Sequence, residues 1–556
     1  MVTPTLKQLE IRDAESLGLL VIAPAGCGKT EALALRVQGL IRNGVVKSPQ
    51  RVLVVTFSNR ARDNIKDRVR IYLSPDEMRD RITISNFHGL SARIFRAHAN
   101  VIGLDSEMKL PEGDWVGDEC RRLDMDYPTK RQVENELREA KQGPRNDETV
   151  AAMLRGSALQ IEQKRKFKMR LTYDDLPRLA ELILAHDRVA DLYRAHFGAF
   201  VVDEFQDLTQ QQLRLVQAIG ASRTTYAGDL AQGIYRFAGA DPKVIDAAIR
   251  LECSEVIELN ESHRSAPAVL GLVNSLSTLT GGTALTAADQ TSWPNGGLAG
   301  RVTHADVDDE AQYVLRMVET ILMHAPTQRI GVMARATSRR RFVDEAFSNS
   351  SIQHHRWDDG VLDTDTAKLV RAMLSAFDQG SYLAATDKIE FLRTVSALDE
   401  VIEPNVREGL AGALNWCYDL LNDDISPTEI RSRIKIGDSS TLLTVPGAHL
   451  LTGHLGKGQQ FDWVFVLGME EGSIPNFNAS SADELAEEAR VLAVMISRAR
   501  HGVFLSNAHS VPTLRGNLRP QSPSRFFSQL NLSGLTDEAG IDVWIANVDW
   551  TAVVAR

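Results

Sequence analysis

The chain is 556 residues long, 43% hydrophobic and 24% charged, with a net charge of −10. That length exceeds what one hydrophobic core holds, so two major domains with insertions are expected, and the acidic balance excludes an overall basic footprint, so any contact with nucleic acid needs a local basic groove. Four scattered cysteines (Cys27, Cys120, Cys253 and Cys417) at no CxxC spacing argue against a disulfide framework or a zinc site, and the lack of a long apolar run or a basic-then-apolar leader sets the expectation of a cytoplasmic protein with no membrane segment.

In chain order, short apolar runs alternate with helix-like stretches, the pattern of parallel sheets with crossover helices. The first strand, Leu19–Ala23, runs into the small-residue loop Pro24-Ala25-Gly26-Cys27-Gly28 and a helix that opens on Lys29-Thr30. Such a loop aims backbone N–H groups at a phosphate, the lysine reaches the β/γ-phosphates and the threonine ligates Mg2+. Ala23 stands where the strict pattern has its first glycine, and a plain strand-to-helix turn is the structural alternative. Strands follow at Val52–Thr56 and Ile82–Ser85, and then a polar, helix-rich interval at 93–170 reads as an insertion. The next strand, Phe200–Asp203, ends in the run Asp203-Glu204-Phe205-Gln206-Asp207. Asp203 suits the water shell of a metal and Glu204 suits an attacking water, so loop and strand together predict an NTPase. Further strands are expected at Thr225–Gly228, Val256–Leu259 and Ile330–Ala334. A second strand-free interval, 380–438, precedes strands at Leu450–Thr452, Val464–Gly468 and Val503–Ser506. The expected fold class is α/β, with two parallel-sheet domains that each carry a mainly helical insertion.

Other segments extend the pattern. They are Thr56-Phe57-Ser58-Asn59-Arg60-Ala61, Asn86-Phe87-His88-Gly89-Leu90, Thr172-Tyr173-Asp174-Asp175-Leu176, and the stretch from Gly228-Asp229 through Gln232, Tyr235 and Phe237 to Ala240. Asn260-Glu261-Ser262-His263-Arg264-Ser265, Thr452-Gly453-His454 with Lys457-Gly458 and Gln460, and Ser497-Arg498-Ala499-Arg500 follow. Together they resemble the UvrD/Rep-like branch of superfamily 1 helicases, from Gln8 to about Leu530. The resemblance implies two RecA-like P-loop domains. The first would span 1–92 and 171–262 with its insertion at 93–170, and the second 263–379 and 439–556 with a reduced insertion at 380–438. It also implies ATP with Mg2+, and single-stranded or partly single-stranded DNA as the partner.

Site roles follow from the resemblance, residue by residue. A glutamine upstream of the phosphate loop reads the adenine edge in that family, and Gln8 stands at the matching spacing; an amide can pair with N6 and N7 together. The nucleotide site would comprise Gln8, Ala23, Pro24, Ala25, Gly26, Cys27, Gly28, Lys29 and Thr30, with His263, Arg264, Gly458 and Gln460 facing them. The catalytic set would be Lys29, Asp203, Glu204, the γ-phosphate sensor Gln232, Arg264 and the arginine finger Arg498. Thr30 and Asp203 would hold the metal. Phe57, Asn59, Phe87, His88, Tyr235, Phe237, Thr452 and His454 would face DNA, with aromatic rings stacking on bases. Structural alternatives stand beside three of these readings: Gln8 as a solvated residue, Phe57 as core filler, and Asp174 with Asp175 as a helix N-cap.

Departures from the family pattern concern coupling rather than chemistry. His263 replaces a tyrosine, Gln460 a glutamate, Ala238 an arginine and Ala493 a tyrosine, while the catalytic set is intact. The basic runs Lys164-Arg165-Lys166 (with Lys168 and Arg170) and Arg339-Arg340-Arg341 read either as DNA contacts or as solvated helix faces. The implied activity is a 3′→5′ ATP-dependent single-stranded DNA translocase or helicase in DNA repair or phage defence. The reduced insertion and Gln460 also fit a second class, a nucleotide- or DNA-sensing regulatory ATPase that controls a partner nuclease. In its compact form the chain is similar to the helicase subunit of Gabija-type antiphage systems, which works beside an OLD-like nuclease.

Overall fold

Strands four to seven residues long build the first sheet, and all six are parallel. They are β1 (Leu19–Ile22), β2 (Arg51–Thr56), β3 (Ile82–Asn86), β4 (Phe197–Asp203), β5 (Thr224–Gly228) and β6 (Glu255–Glu258), in the spatial order β3-β2-β4-β5-β1-β6. Every residue of β1, β4 and β5 is buried, as expected of strands covered on both faces. The structure, a computed structural model, describes residues 3–111, 114–123, 125–234, 240–357, 361–362, 364–398, 404–422, 425–436, 444–512 and 517–556.

The second sheet has seven strands: β7 (Leu298–Asp306), β8 (Arg329–Ala334), β9 (His354–Arg356), β10 (Gly447–Thr452), β11 (Phe461–Val466), β12 (Ala499–Pro512) and β13 (Leu518–Pro520). The order is β9-β10-β8-β11-β12, with parallel β7 and antiparallel β13 both pairing with β12. The sequence reading finds neither β7, β9 nor β13. In β7 the buried positions include Gly300 and His304, which carry no strand signal. Ile541 packs directly on Gly300, where a Cβ would lie 2.5 Å from its Cδ1.

Two helical insertions have cores of their own. Trp115, Cys120, Leu137, Val150 and Ile161 fill the first, and Val370, Leu374, Leu392, Leu410, Cys417 and Ile430 the second. Helix Thr364–Ser375 packs into the second of these clusters, ahead of the expected start at 380. The insertions touch through ion pairs, Arg122 to Asp387 at 3.4 Å and Arg393 to Asp118 at 3.1 Å.

The basic runs are corrected in part: Arg165, Arg339 and Arg340 are buried, whereas Lys164, Lys166, Lys168 and Arg341 are exposed. Arg165 is fully buried and pairs with Glu162 at 2.6 Å and Asp147 at 2.9 Å. Lys164 pairs with Glu119 at 2.5 Å. Arg339 is bound to Glu310 and Glu470, and buried Arg340 to Asp344. These arginines neutralise internal carboxylates rather than forming a DNA-binding or solvated face. The capping alternative is corrected as well: Asp174 makes no side-chain cap bond, and Asp175 is fully buried beside Lys141 and Arg178. Among the described residues no helix is long and apolar enough to cross a membrane.

Candidate active site

The spatial order β4-β5-β1 places three strand ends side by side, and ligands of open parallel sheets bind at that carboxyl edge. After β1 the loop turns through Gly26 (φ +85°) and Gly28 (φ +77°) into helix α1 (Lys29–Arg42). Both glycines occupy the left-handed region that a side chain disfavours. A Cβ on Gly26 would also stand 2.6 Å from the Cβ of Arg264, so Arg264 packs directly on the loop. The His263 N–H donates to the Gly26 carbonyl at 3.0 Å.

β4 ends on Asp203, and Glu204 follows with φ +56°. A glutamate held in that region is strained, and such strain concentrates at functional sites. The Lys29 ammonium lies 2.8 Å from Asp203 and 2.5 Å from Glu204. Burial alone would lower the lysine's pKa, but the two carboxylates raise it. The shared cation acts unequally on its partners. Burial keeps Asp203 above the usual carboxylate range, whereas Lys29 and Lys457 outweigh burial at Glu204 and hold it at about 2.

From Glu204 a relay of amides crosses the cleft. Gln206 donates to Glu204 at 2.6 Å and accepts from the Asp229 N–H at 3.0 Å. Gln232 donates to Asp229 at 2.9 Å, and the Arg498 guanidinium reaches the Gln232 side-chain oxygen at 3.4 Å. Burial and the charge of Arg264 lower the pKa of Arg498 to about 9, still cationic at neutral pH. The Lys457 ammonium donates to both Asp207 oxygens and to the Gln232 carbonyl, each at 2.7 Å.

Lys29, Thr30, Asp203, Glu204, Gln232, His263, Arg264, Gly458, Gln460 and Arg498 all line one cleft of about 690 Å3, within the usual range for a small-molecule site. Thr30 and Asp203 offer one hydroxyl and one carboxylate. Mg2+ tolerates so small a protein donor set because it arrives with substrate phosphates and water. Gln8 is buried against the loop, its oxygen accepting from the Thr5 N–H at 3.0 Å and its NH2 donating to the Gly28 carbonyl at 3.3 Å, which overturns the alternative of a solvated residue. The Cys27 side chain points into the core, and burial pushes its thiol up to about 12.

Sequence reasoning assigned no role to Asp207 or Lys457, although both belong to quoted segments. It also missed a wall of Arg60, Asn64 and Arg68 on helix α2 (Asn59–Val69), where spacing by four residues puts all three on one face. Glu31, the partner of Arg68 at 3.2 Å, lies beside them.

A second cleft of about 570 Å3 adjoins the first, and Phe57 and Asp207 line both. Its walls carry His88, Tyr173, Arg138, Arg145, Arg214 and a run of glutamines. Phe57 is 39% exposed, which disposes of the core-filler alternative, and His88 meets Tyr173 edge-on at 5.4 Å. Phe87 is corrected: it is 3% exposed in the core beneath the sheet and offers no face for stacking. Asn59 is the first residue of α2. Tyr235 and Phe237 lie outside the described residues. Thr452 ends β10, and His454 sits 3.4 Å from the Arg335 guanidinium, away from this second cleft.

The Asp207–Lys457 bridge makes a pH prediction. Burial pushes the Asp207 carboxyl up to about 7, against the pull of Lys457 and with the nearby Glu204 charge adding to the rise. Above that pH the ion pair is complete; below it the acid is neutral and Lys457 loses its counter-charge. The expected outcome is that kcat/KM for ATP falls between about pH 8 and about pH 6 and that Asp207→Asn lacks this inflection. The same inflection in the asparagine variant would assign it to another group.

Comparison with known proteins points the same way. The model of the UvrD/REP helicase N-terminal domain matches residues 6–251, and that of the UvrD-like helicase C-terminal domain matches 428–510. The ATP-dependent DNA helicase UvrD2 of Mycobacterium tuberculosis is 26% identical, over 91% of this chain and 79% of its own length. The ATP-dependent DNA helicase PcrA of Leuconostoc citreum is 24% identical over 94% of this chain and 84% of its own, and that of Staphylococcus aureus 23% over 92% and 84%.

Proposed function

Since the chain belongs to the UvrD/Rep helicase family, we propose that it is an ATP-driven motor that moves 3′→5′ along single-stranded DNA and separates duplex, in DNA repair or phage defence. The observation that carries this reading is the convergence of Lys29, Asp203, Glu204, Gln232, Arg264 and Arg498 on one cleft whose wall is shared with an aromatic-lined second cleft. The relatives are ATP-dependent DNA helicases by name, which supports the reaction class; the direction rests on the family resemblance.

ATP is the substrate. Backbone N–H groups of the loop at Gly26 and Gly28 receive its phosphates at the start of α1. Lys29 then exchanges its two carboxylates for phosphate oxygens. Thr30 and Asp203 are the residues that would hold Mg2+, which supplies charge neutralisation when bound. Glu204 orients the attacking water, and Arg264 and Arg498 neutralise charge that develops on the transferred phosphoryl group.

Coupling to the strand follows from shared residues. Gln232 touches Arg498 through its side chain and Lys457 through its carbonyl, so a change at the γ-phosphate reaches Asp207 in the wall of the second cleft. Phe57 stands in the same wall. Bases stacked there are released or gripped as the cleft opens and closes, each stacking contact contributing about 1–3 kcal/mol.

ATP hydrolysis by the purified protein, with and without single-stranded DNA, tests this reading. The expected result is strong stimulation by DNA, lost in Lys29→Ala, together with displacement of a strand only from substrates bearing a 3′ single-stranded tail. Hydrolysis indifferent to DNA would overturn the motor and favour a regulatory ATPase.

A further inference from the structure

Phe477 is 78% exposed, on the segment 467–480 that follows β11. Hydrogen bonds fix this loop. At its base Glu470 accepts from the Arg339 guanidinium at 2.8 Å and from the Ala508 N–H at 2.7 Å, and Glu471 pairs with Arg525 at 2.6 Å. Within it the Phe477 N–H donates to the Gly472 carbonyl at 3.1 Å and the Ala479 N–H to the Asn476 carbonyl at 2.9 Å. The backbone that presents the ring is therefore held in place, so its exposure is a built feature.

Its neighbours place it. The Asn476 N–H donates to Glu488 at 3.0 Å, Glu488 binds Arg335 at 2.8 Å, and Arg335 reaches the His454 ring at 3.4 Å. Phe477 is thus one residue from a chain of contacts that ends on His454. Arg335 follows β8, and His454 lies two residues beyond the end of β10, so the group occupies the carboxyl edge of the second sheet. At the carboxyl edge of the first sheet, Phe57 follows β2 directly and is exposed beside the half-exposed Tyr173. Asp483, six residues past Phe477, pairs with Lys243 of the first domain at 2.5 Å, so the loop leads straight to the junction of the two sheets.

We propose that Phe477 is a base-stacking contact of the second domain for single-stranded nucleic acid, an inference that rests on the DNA partner of the proposed function. In the chain the ring stands between Asn476 and Asn478. An exposed aromatic face whose loop is tied through Glu488 to Arg335 suits a stacked nucleobase. A stacking residue on each sheet edge gives each domain a separate grip on the strand.

The test uses the full chain with Phe477→Trp and, as a control, Leu251→Trp, a site 90% exposed just before β6 at the opposite edge of the first sheet. Each is titrated with a labelled thymidine oligonucleotide, with binding followed by anisotropy and stacking by tryptophan emission. The expected result is extra quenching in Phe477→Trp and none beyond the parent in Leu251→Trp. Phe477→Ala is expected to weaken binding about tenfold, and Phe477→Trp to retain it. Anisotropy that reports binding while Phe477→Trp emission matches the control overturns the proposal and leaves the motor reading standing. No binding by the parent overturns both.

Discussion

Glu204→Gln is expected to reduce kcat for ATP hydrolysis by about 10²- to 10⁴-fold, the range for loss of a positioned general base, with ATP binding retained. That is about 3–5 kcal/mol on the barrier. The glutamine keeps the shape and the contact with Gln206 but loses the charge that holds Lys29 at 2.5 Å. With its pKa held at about 2, the Glu204 carboxylate is ionised at every working pH, yet it is a weak proton acceptor while Lys29 lies against it. Phosphate oxygens compete for the same ammonium. Once the lysine turns to them, Glu204 loses its principal stabilising partner and becomes more basic when a water must be activated. The amide cannot undergo that change. Steady-state hydrolysis, with binding of a fluorescent ATP analogue measured alongside, separates the two effects. A fall in kcat of less than tenfold would remove Glu204 from the chemistry, and a loss of binding would make it structural.

Local chemistry was the part of this site legible in the sequence. The phosphate loop and the Asp203–Glu204 strand end are each set by a few consecutive residues, and the structure brings them to one edge because β1, β5 and β4 are neighbours. The burial of Gln8, against its solvated alternative, follows from local partners of its amide. Thr5 stands three residues before it, a capping-box signal that was available and overlooked. Phe87 and His88 are adjacent on one helix start, and only the packed sheet decides that the phenyl goes inward and the imidazole outward. The reading of the basic runs failed at Arg165, Arg339 and Arg340 for a related reason: a positive charge looks solvated until its partners are known. Those of Arg339 lie 29 and 131 residues away, a separation that local sequence cannot show.

The network behind the first basic run carries the largest expected effect on stability. Lys141, Arg165 and Arg178 are buried with Asp147, Glu162 and Asp175, so the charges balance. Asp175 binds Lys141 at 3.0 Å and Arg178 at 2.7 Å, and also accepts from the Thr172 N–H at 2.8 Å. It joins helix Asp175–Leu184, packed on the first sheet, to helix Gly156–Phe167 of the insertion. Asp175→Ala leaves three cations against two carboxylates in a site that water does not reach. Removing one partner of a buried pair costs about 3–5 kcal/mol, because the remaining charge keeps its desolvation penalty without its counter-ion. The expected result is early unfolding of the insertion and loss of hydrogen-exchange protection along Asp175–Leu184. The pH dependence has a fixed sign. Burial would raise the Asp175 pKa, but Lys141, Arg165 and Arg178 hold it well below the usual carboxylate range. Its stabilisation is therefore complete above the ordinary carboxylate pKa and is lost only as pH falls through the lowered folded value. The wild-type chain should keep this helix protected at a pH where exposed carboxylates are already protonated. Asp175→Asn, which keeps an acceptor for Thr172 but no charge, should lose that acid resistance along with much of the stability. Unchanged protection in both variants would mean that the apolar core of the insertion alone holds it to the sheet.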